Sequence, residues 1–245
     1  MQSARKPGPR SPLGRSAATP EVAGVGHTAA MSDLIVNEVG TTGTGGRLLV
    51  LIHGYGADEY DLAPITSHID PDGEFHTICP RGPYDVFGAG AGWYERDADG
   101  QIDSATFLSS VDAVDATIDA WCTRGGFERS RCVIVGFSQG GAMALASALR
   151  VDGAARPAAM ACLSGTMQDV DGMDYDLDAE DLPSILVQHG TLDPVVPIER
   201  GQRTRDRLAD HGVEHTYLEY PMQHSIIPES IADIRTWLQT ILDED

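Results

Sequence analysis

Ser138 stands in the run Gly136-Phe137-Ser138-Gln139-Gly140, between an apolar stretch, Cys132-Val133-Ile134-Val135, and an alanine-rich stretch with helical character over 141–149. A strand that reverses into a helix within five residues, with glycines two before and two after a serine, confines the chain to a sheet flanked by helices. The glycines are needed because the turn strains the serine backbone and brings positions 136 and 140 against neighbouring chain, where a side chain would collide. The hydroxyl is left exposed at the carboxyl edge of the sheet. The Gln139 amide then lies in the first helical turn, where unpaired donors and the helix dipole favour developing negative charge. Ser138 is therefore a candidate nucleophile, and Gln139 supplies half of a candidate oxyanion hole.

With 27 glycines in the chain, the pentapeptide alone is a weak signal, and its meaning depends on an acid and then a histidine after later strands. Leu182-Pro183-Ser184-Ile185-Leu186-Val187-Gln188-His189 reads as a short buried strand. It leads into a turn-rich loop, Gly190-Thr191-Leu192-Asp193-Pro194-Val195-Val196-Pro197, that offers Asp193. The alternating segment His215-Thr216-Tyr217-Leu218-Glu219-Tyr220 leads in turn into Pro221-Met222-Gln223-His224. A serine hydroxyl needs a base to take its proton and return it to the leaving group, and the base needs a carboxylate to fix its tautomer. Of the eight histidines, His224 is the one that follows the acid in a loop leaving the last strand. His53 and His189, at strand ends, read as loop-organising or structural residues.

The second oxyanion donor is expected after an early strand. Leu48-Leu49-Val50-Leu51-Ile52 is continuously apolar, as a strand buried on both faces should be, and ends in His53-Gly54-Tyr55-Gly56-Ala57-Asp58. Glycines on either side of Tyr55 allow its amide to turn inward, with Gly54 and Gly56 as rivals for the role. These blocks, with Pro80-Arg81-Gly82-Pro83, Trp93-Tyr94 and the order Ser138, Asp193, His224, resemble the phospholipase/carboxylesterase family of α/β-hydrolases, which includes acyl-protein thioesterases. The likeness runs from about residue 35 to 242. It implies an α/β-hydrolase fold, a catalytic triad of Ser138, Asp193 and His224, an oxyanion hole of the Tyr55 and Gln139 amides, and no metal or other cofactor. It also implies that Trp93 and Tyr94, which follow a Gly/Ala run over 88–92 that reads as a mobile surface loop, wall the substrate pocket. Met167, Val195 and Ile226, close to the reactive loops, are further candidate walls. The strongly acidic segment 168–181 departs from an apolar acyl-binding loop and reads as a solvated excursion.

Strands are expected near 33–38, 48–52, 75–79, 132–135, 158–163, 184–189 and 215–220. Helical patterns fall near 59–68, 104–123, 139–149, 199–211 and 229–242. The alternation predicts a mostly parallel sheet with helices on both faces and no large cap domain. Residues 1–30, rich in Pro, Ser, Gly and Ala with Arg5, Lys6, Arg10 and Arg15, form a basic tail expected to be disordered, so that Met31 is the expected initiator and 31–245 the hydrolase domain. Four cysteines at apolar positions, without paired or metal-ligand spacing, read as buried thiols of a reducing, cytoplasmic compartment.

The chain carries a formal charge of -20, with 25 aspartates, 12 glutamates and Lys6 as its single lysine. The tail holds four cationic side chains against Glu21, which leaves the remainder near -23. Such a balance disfavours nucleic acid and anionic membranes as partners and suits a high-salt cytoplasm, where self-repulsion is screened. No run is long and apolar enough to span a bilayer. The expected function is a serine hydrolase acting on small to medium carboxylic esters or thioesters through an acyl-enzyme. The alternative is a ligand-binding protein that keeps the fold without turnover. Monomer and homodimer are both compatible with the sequence.

Overall fold

The apolar run near residue 50 becomes strand β2 (Arg47–Ile52), every residue of which is buried. Leu48, Val50 and Ile52 face one core cluster, while Leu49 and Leu51 face another. That period of two on a strand buried from both sides requires a sheet with a layer on each face. The computed structural model describes Met1 and residues 34–39, 46–151 and 153–243. The sequence expectations for the tail and for the initiator Met31 lie outside the described residues.

In chain order the remaining strands are β1 (Val36–Val39), β3 (Phe75–Pro80), β4 (Tyr84–Val86), β5 (Gly90–Gly92), β6 (Val133–Phe137), β7 (Ala159–Leu163), β8 (Ser184–Gly190) and β9 (Thr216–Tyr220). The helices are α1 (Thr66–Ile69), α2 (Ser104–Gly125), α3 (Gln139–Leu149), α4 (Ile198–Asp210) and α5 (Pro228–Asp243). Seven strands form one sheet in the order β1-β3-β2-β6-β7-β8-β9. The β1–β3 pair is antiparallel and the other pairs are parallel, which is the α/β-hydrolase arrangement expected from the sequence. Parallel pairing sends every connection back across a face, so the loops at the carboxyl ends collect along one edge.

One face of the sheet is covered by α2 and α3, with Leu208 of α4, and the other by α5 with Ile69 of α1. Helix α2 starts where the Asp103 carboxylate accepts the Thr106 amide at 2.8 Å. It stops at Gly126, whose φ of 69° is the left-handed conformation glycine adopts at little cost. Helix α3 is buried from Gly140 to Leu149. Its run of alanines lets it lie close to the sheet, and each fully buried Leu or Ile side chain contributes about 1.5–3 kcal/mol.

Three local expectations are corrected. The helix expected over 59–68 is a 3-10 turn, Ala63–Ile65, followed by the short α1. Pro64 cannot donate within a helix, and the Asp58 carboxylate holds the Tyr60 amide at 2.9 Å in a turn. The Gly/Ala run 88–92, expected to be a mobile surface loop, contains β5, which pairs with β4 from Tyr84–Gly92 to Val86–Gly90. A Cβ on Gly90 would come within 2.5 Å of the Ala57 carbonyl oxygen, so the glycine serves close backbone contact. The acidic stretch 168–181 is not a freely solvated excursion: Val170, Met173 and Leu177 are buried in the core. Between β7 and β8 the chain adds no helix or strand beyond a bridge of Arg150 with Tyr175, and so no cap domain. Among the described residues no helix is long and apolar enough to cross a membrane.

Candidate active site

Ser138 has φ 56° and ψ -115°, a strained geometry for a residue with a side chain. The flanking glycines explain how the turn closes. A Cβ on Gly136 would lie 2.0 Å from the Gly140 carbonyl oxygen, and one on Gly140 would lie 2.0 Å from that of Ile52. The elbow is therefore pressed between β2 and α3 so tightly that no other residue fits at either position.

His224 lies in the loop after β9, with Nε2 2.9 Å from Ser138 Oγ and Nδ1 2.6 Å from Asp193 Oδ2. In the arrangement that satisfies all three groups, the serine hydroxyl donates to Nε2 and Nδ1–H donates to the carboxylate. Asp193 is in the loop after β8. Its Oδ1 accepts the amides of Val195 and Val196, both at 2.8 Å, which leaves Oδ2 for the ring. Burial opposes ionisation of Asp193, but the bonds from His224, Val196 and Val195 outweigh it and hold the carboxyl below its ordinary value. The two loops are tied together: the Thr191 amide donates to Tyr220 at 2.8 Å and the Leu192 amide to Met222 at 3.1 Å. Close approach is possible because Gly190 has no Cβ, which would sit 2.4 Å from the Met222 carbonyl oxygen. The Phe137 ring packs on the His224 ring with centroids 4.8 Å apart.

The peptide planes beside the serine orient two amides. The Ser138 carbonyl accepts the Ala142 amide at 3.2 Å in the first turn of α3. In a trans peptide N–H and C=O point oppositely, so the Gln139 N–H points off the helix start. After β2, the Gly54 carbonyl accepts both the Ala57 amide at 3.3 Å and His53 Nδ1–H at 2.7 Å. The Tyr55 N–H in the same plane is thereby aimed the other way. The Gly56 amide is already engaged by Ala91 at 2.8 Å, which removes that rival. His53 Nε2 accepts the Gly82 amide at 2.9 Å, and burial lowers its pKa, so the ring is a neutral loop-organising residue.

Two connections escape sequence reasoning. The Gln139 side chain accepts the Trp93 amide at 2.8 Å and donates to the Tyr94 carbonyl at 3.2 Å. Trp93 Nε1–H donates to the His53 carbonyl at 2.8 Å. Trp93 thus joins the loop after β2 to the start of α3. The Gly92-Trp93-Tyr94 step was the available signal, but nothing in it specifies partners 40 and 46 residues away.

A cavity of about 820 Å³ opens in front of Ser138 and Gln139, with Tyr55, Tyr94 and Val195 on its walls. Trp93 is not a wall; it is fully buried beneath the cavity. Met167 lines an adjoining cleft instead. Ile226 packs on the core at the α5 face, because the His224 loop turns its apolar residues toward that helix.

Residues 42–242 match a family model described as Phospholipase/Carboxylesterase. An acyl-protein thioesterase 1 of Mycosarcoma maydis is 30% identical over 79% of this chain and 90% of that protein. A second acyl-protein thioesterase 1, from Gibberella zeae, is 34% identical over 46% of this chain, a match that spans about half (49%) of that protein's length. Among solved structures, the esterase PE8 is similar with a TM-score of 0.69 and 25% identity, over 80% of this chain and 93% of that one.

Proposed function

The chain belongs to the phospholipase/carboxylesterase family, and from that premise we propose that it hydrolyses carboxylic esters or thioesters through an acyl-enzyme on Ser138. The observation that carries this reading is the unbroken relay from Ser138 Oγ to His224 at 2.9 Å and from His224 to Asp193 at 2.6 Å. The relay starts from a serine whose strained backbone projects it from the sheet edge.

Attack of Oγ on the carbonyl carbon transfers the hydroxyl proton to His224 Nε2. Asp193 keeps the ring in the receptive tautomer and stabilises the imidazolium. The carbonyl oxygen gains negative charge against the Tyr55 and Gln139 amides, donors that need no reorganisation as charge develops. Collapse breaks the bond to the alcohol or thiol, which departs with the proton from His224. Water then attacks the acyl-serine, gives its proton to the same nitrogen, and the acid is released as Oγ is reprotonated.

Ser138→Ala removes the nucleophile and is expected to lower kcat/KM on p-nitrophenyl esters by at least about 10³-fold, leaving the residue due to the oxyanion site and binding. A fluorophosphonate probe should label the unaltered protein and not the variant. A protein that binds ligands without turnover would label in neither form, and undiminished hydrolysis by the variant would falsify the assignment. The relatives named as acyl-protein thioesterases support inclusion of thioesters among the substrates. All four cysteines are buried and free, which supports a reducing, cytoplasmic setting.

A further inference from the structure

The cavity in front of Ser138 is lined by Arg96 and Arg200, which also line the adjoining cleft of about 850 Å³, where Arg203 joins them. The chain has 37 acidic side chains against 17 basic ones, so an arginine without a carboxylate partner is against the odds. Away from the cavity most arginines are paired, as Arg81 is with Glu59 at 3.0 Å, Arg129 with Asp115 at 2.5 Å and Arg156 with Asp176 at 2.8 Å, although Arg124 and Arg235 form no ion pair among the described residues. Arg96, Arg200 and Arg203 form no ion pair among the described residues. The carboxylates Asp85 and Glu95 of the cavity and Asp169, Asp171, Asp206 and Asp210 of the cleft are exposed, as are the three arginines, and Asp85 faces Arg81 at 3.6 Å.

Two features fix where this positive charge points. Arg96 lies over the Tyr94 ring, 5.8 Å from its centroid, and donates to the Gly100 carbonyl at 2.8 Å. Tyr94, Arg96 and Arg200 line the same cavity as Ser138, so both guanidinium groups border the space before the serine. Arg200 also sits in the first turn of α4, where a cation opposes the helix dipole. An anion in the cavity would reverse that local penalty and meet the start of α4, because Val195, Val196 and Pro197 line the same wall.

We propose that this is an anion-recognition subsite: the ester or thioester turned over at Ser138 carries a carboxylate or phosphate held by Arg200 and Arg96. The proposal rests on the hydrolase reading and adds the charge of the substrate. Guanidinium groups suit this role because their planar donor fork matches both anions.

The test uses the full chain carrying Ser138→Ala, so that binding is read without turnover. Calorimetric titration with glutarate and, separately, with glycerol 3-phosphate should show saturable binding of at least one at millimolar affinity or better, and the pair tells carboxylate from phosphate. Adding Arg200→Gln should weaken that binding at least tenfold. Arg124→Gln removes the same charge beside Trp121, away from the cavity, and should not. In the unaltered serine background, the kcat/KM ratio for p-nitrophenyl glutarate over p-nitrophenyl valerate should fall at least tenfold with Arg200→Gln, a ratio insensitive to the folded fraction. The subsite is overturned if neither anion binds saturably, or if Arg200→Gln binds as tightly as its parent. Failure of the hydrolase reading looks different: no turnover of the neutral valerate ester by the unaltered protein.

Discussion

Trp93 has no side-chain surface in solvent, yet its ring N–H and its backbone amide tie together the two strand ends that carry the Tyr55 and Gln139 amides, the proposed oxyanion donors. It touches no reacting atom and is a positioning residue. Trp93→Phe keeps most of the ring volume and removes the donor to the His53 carbonyl, leaving that buried oxygen short of a partner at a cost of about 1–3 kcal/mol. The expected outcome is a roughly tenfold lower kcat with KM little changed, together with a lower Tm, read by steady-state kinetics and thermal unfolding. A loss confined to Tm would make the role merely structural. Ser138, Asp193 and His224 could be singled out in the sequence because each role demands one residue type at one kind of place, the end of a strand. Trp93 could not, since an aromatic after a glycine run is equally compatible with a pocket wall and a buried strut. The contact that decides between them comes from 40 residues earlier in the chain.

At the scale of elements, α2 and α3 are held by a buried polar cluster. Asp115 of α2 meets Arg129 at 2.5 Å, Arg150 at 2.9 Å and the Ser147 hydroxyl of α3 at 2.5 Å. Burial pushes the Asp115 carboxyl up, and Arg129, Ser147 and Arg150 draw it back only in part. Asp115→Ala would leave the buried Arg129 guanidinium with the half-exposed Asp119, at 2.9 Å, as its one carboxylate and is expected to destabilise the fold by about 2–4 kcal/mol, measurable by denaturant unfolding. A loss below about 1 kcal/mol would show that water replaces the carboxylate. The long helices and buried strands were legible because burial on two faces writes continuous apolar runs and burial on one face writes a helical stripe. The β4–β5 hairpin was not. Its second strand is Gly90-Ala91-Gly92, and pairing there rests on backbone groups and the absence of side chains, which carry no periodic signal.

For the whole molecule the dominant quantity is charge. Ordinary cores and hydrogen bonds do not call for an excess of 20 negative charges, and the exposed aspartates have few cations to meet. Self-repulsion falls as added ions shorten the screening length from about 10 Å at 0.1 M to about 3 Å at 1 M. The unfolding midpoint should accordingly rise from dilute buffer to molar KCl, with activity lost on dialysis. Equal midpoints at both salts would remove the case for adaptation to a saline interior. The sheet places its chemistry unevenly across this charged body. Ser138 springs from β6, the central strand with three others on each side, whereas His224 hangs from β9, which has a neighbour on one side only. Fraying of that outermost strand would carry off the proposed base and leave the rest of the architecture standing, so an ageing or heated population would fall silent while still looking native to most spectroscopic probes.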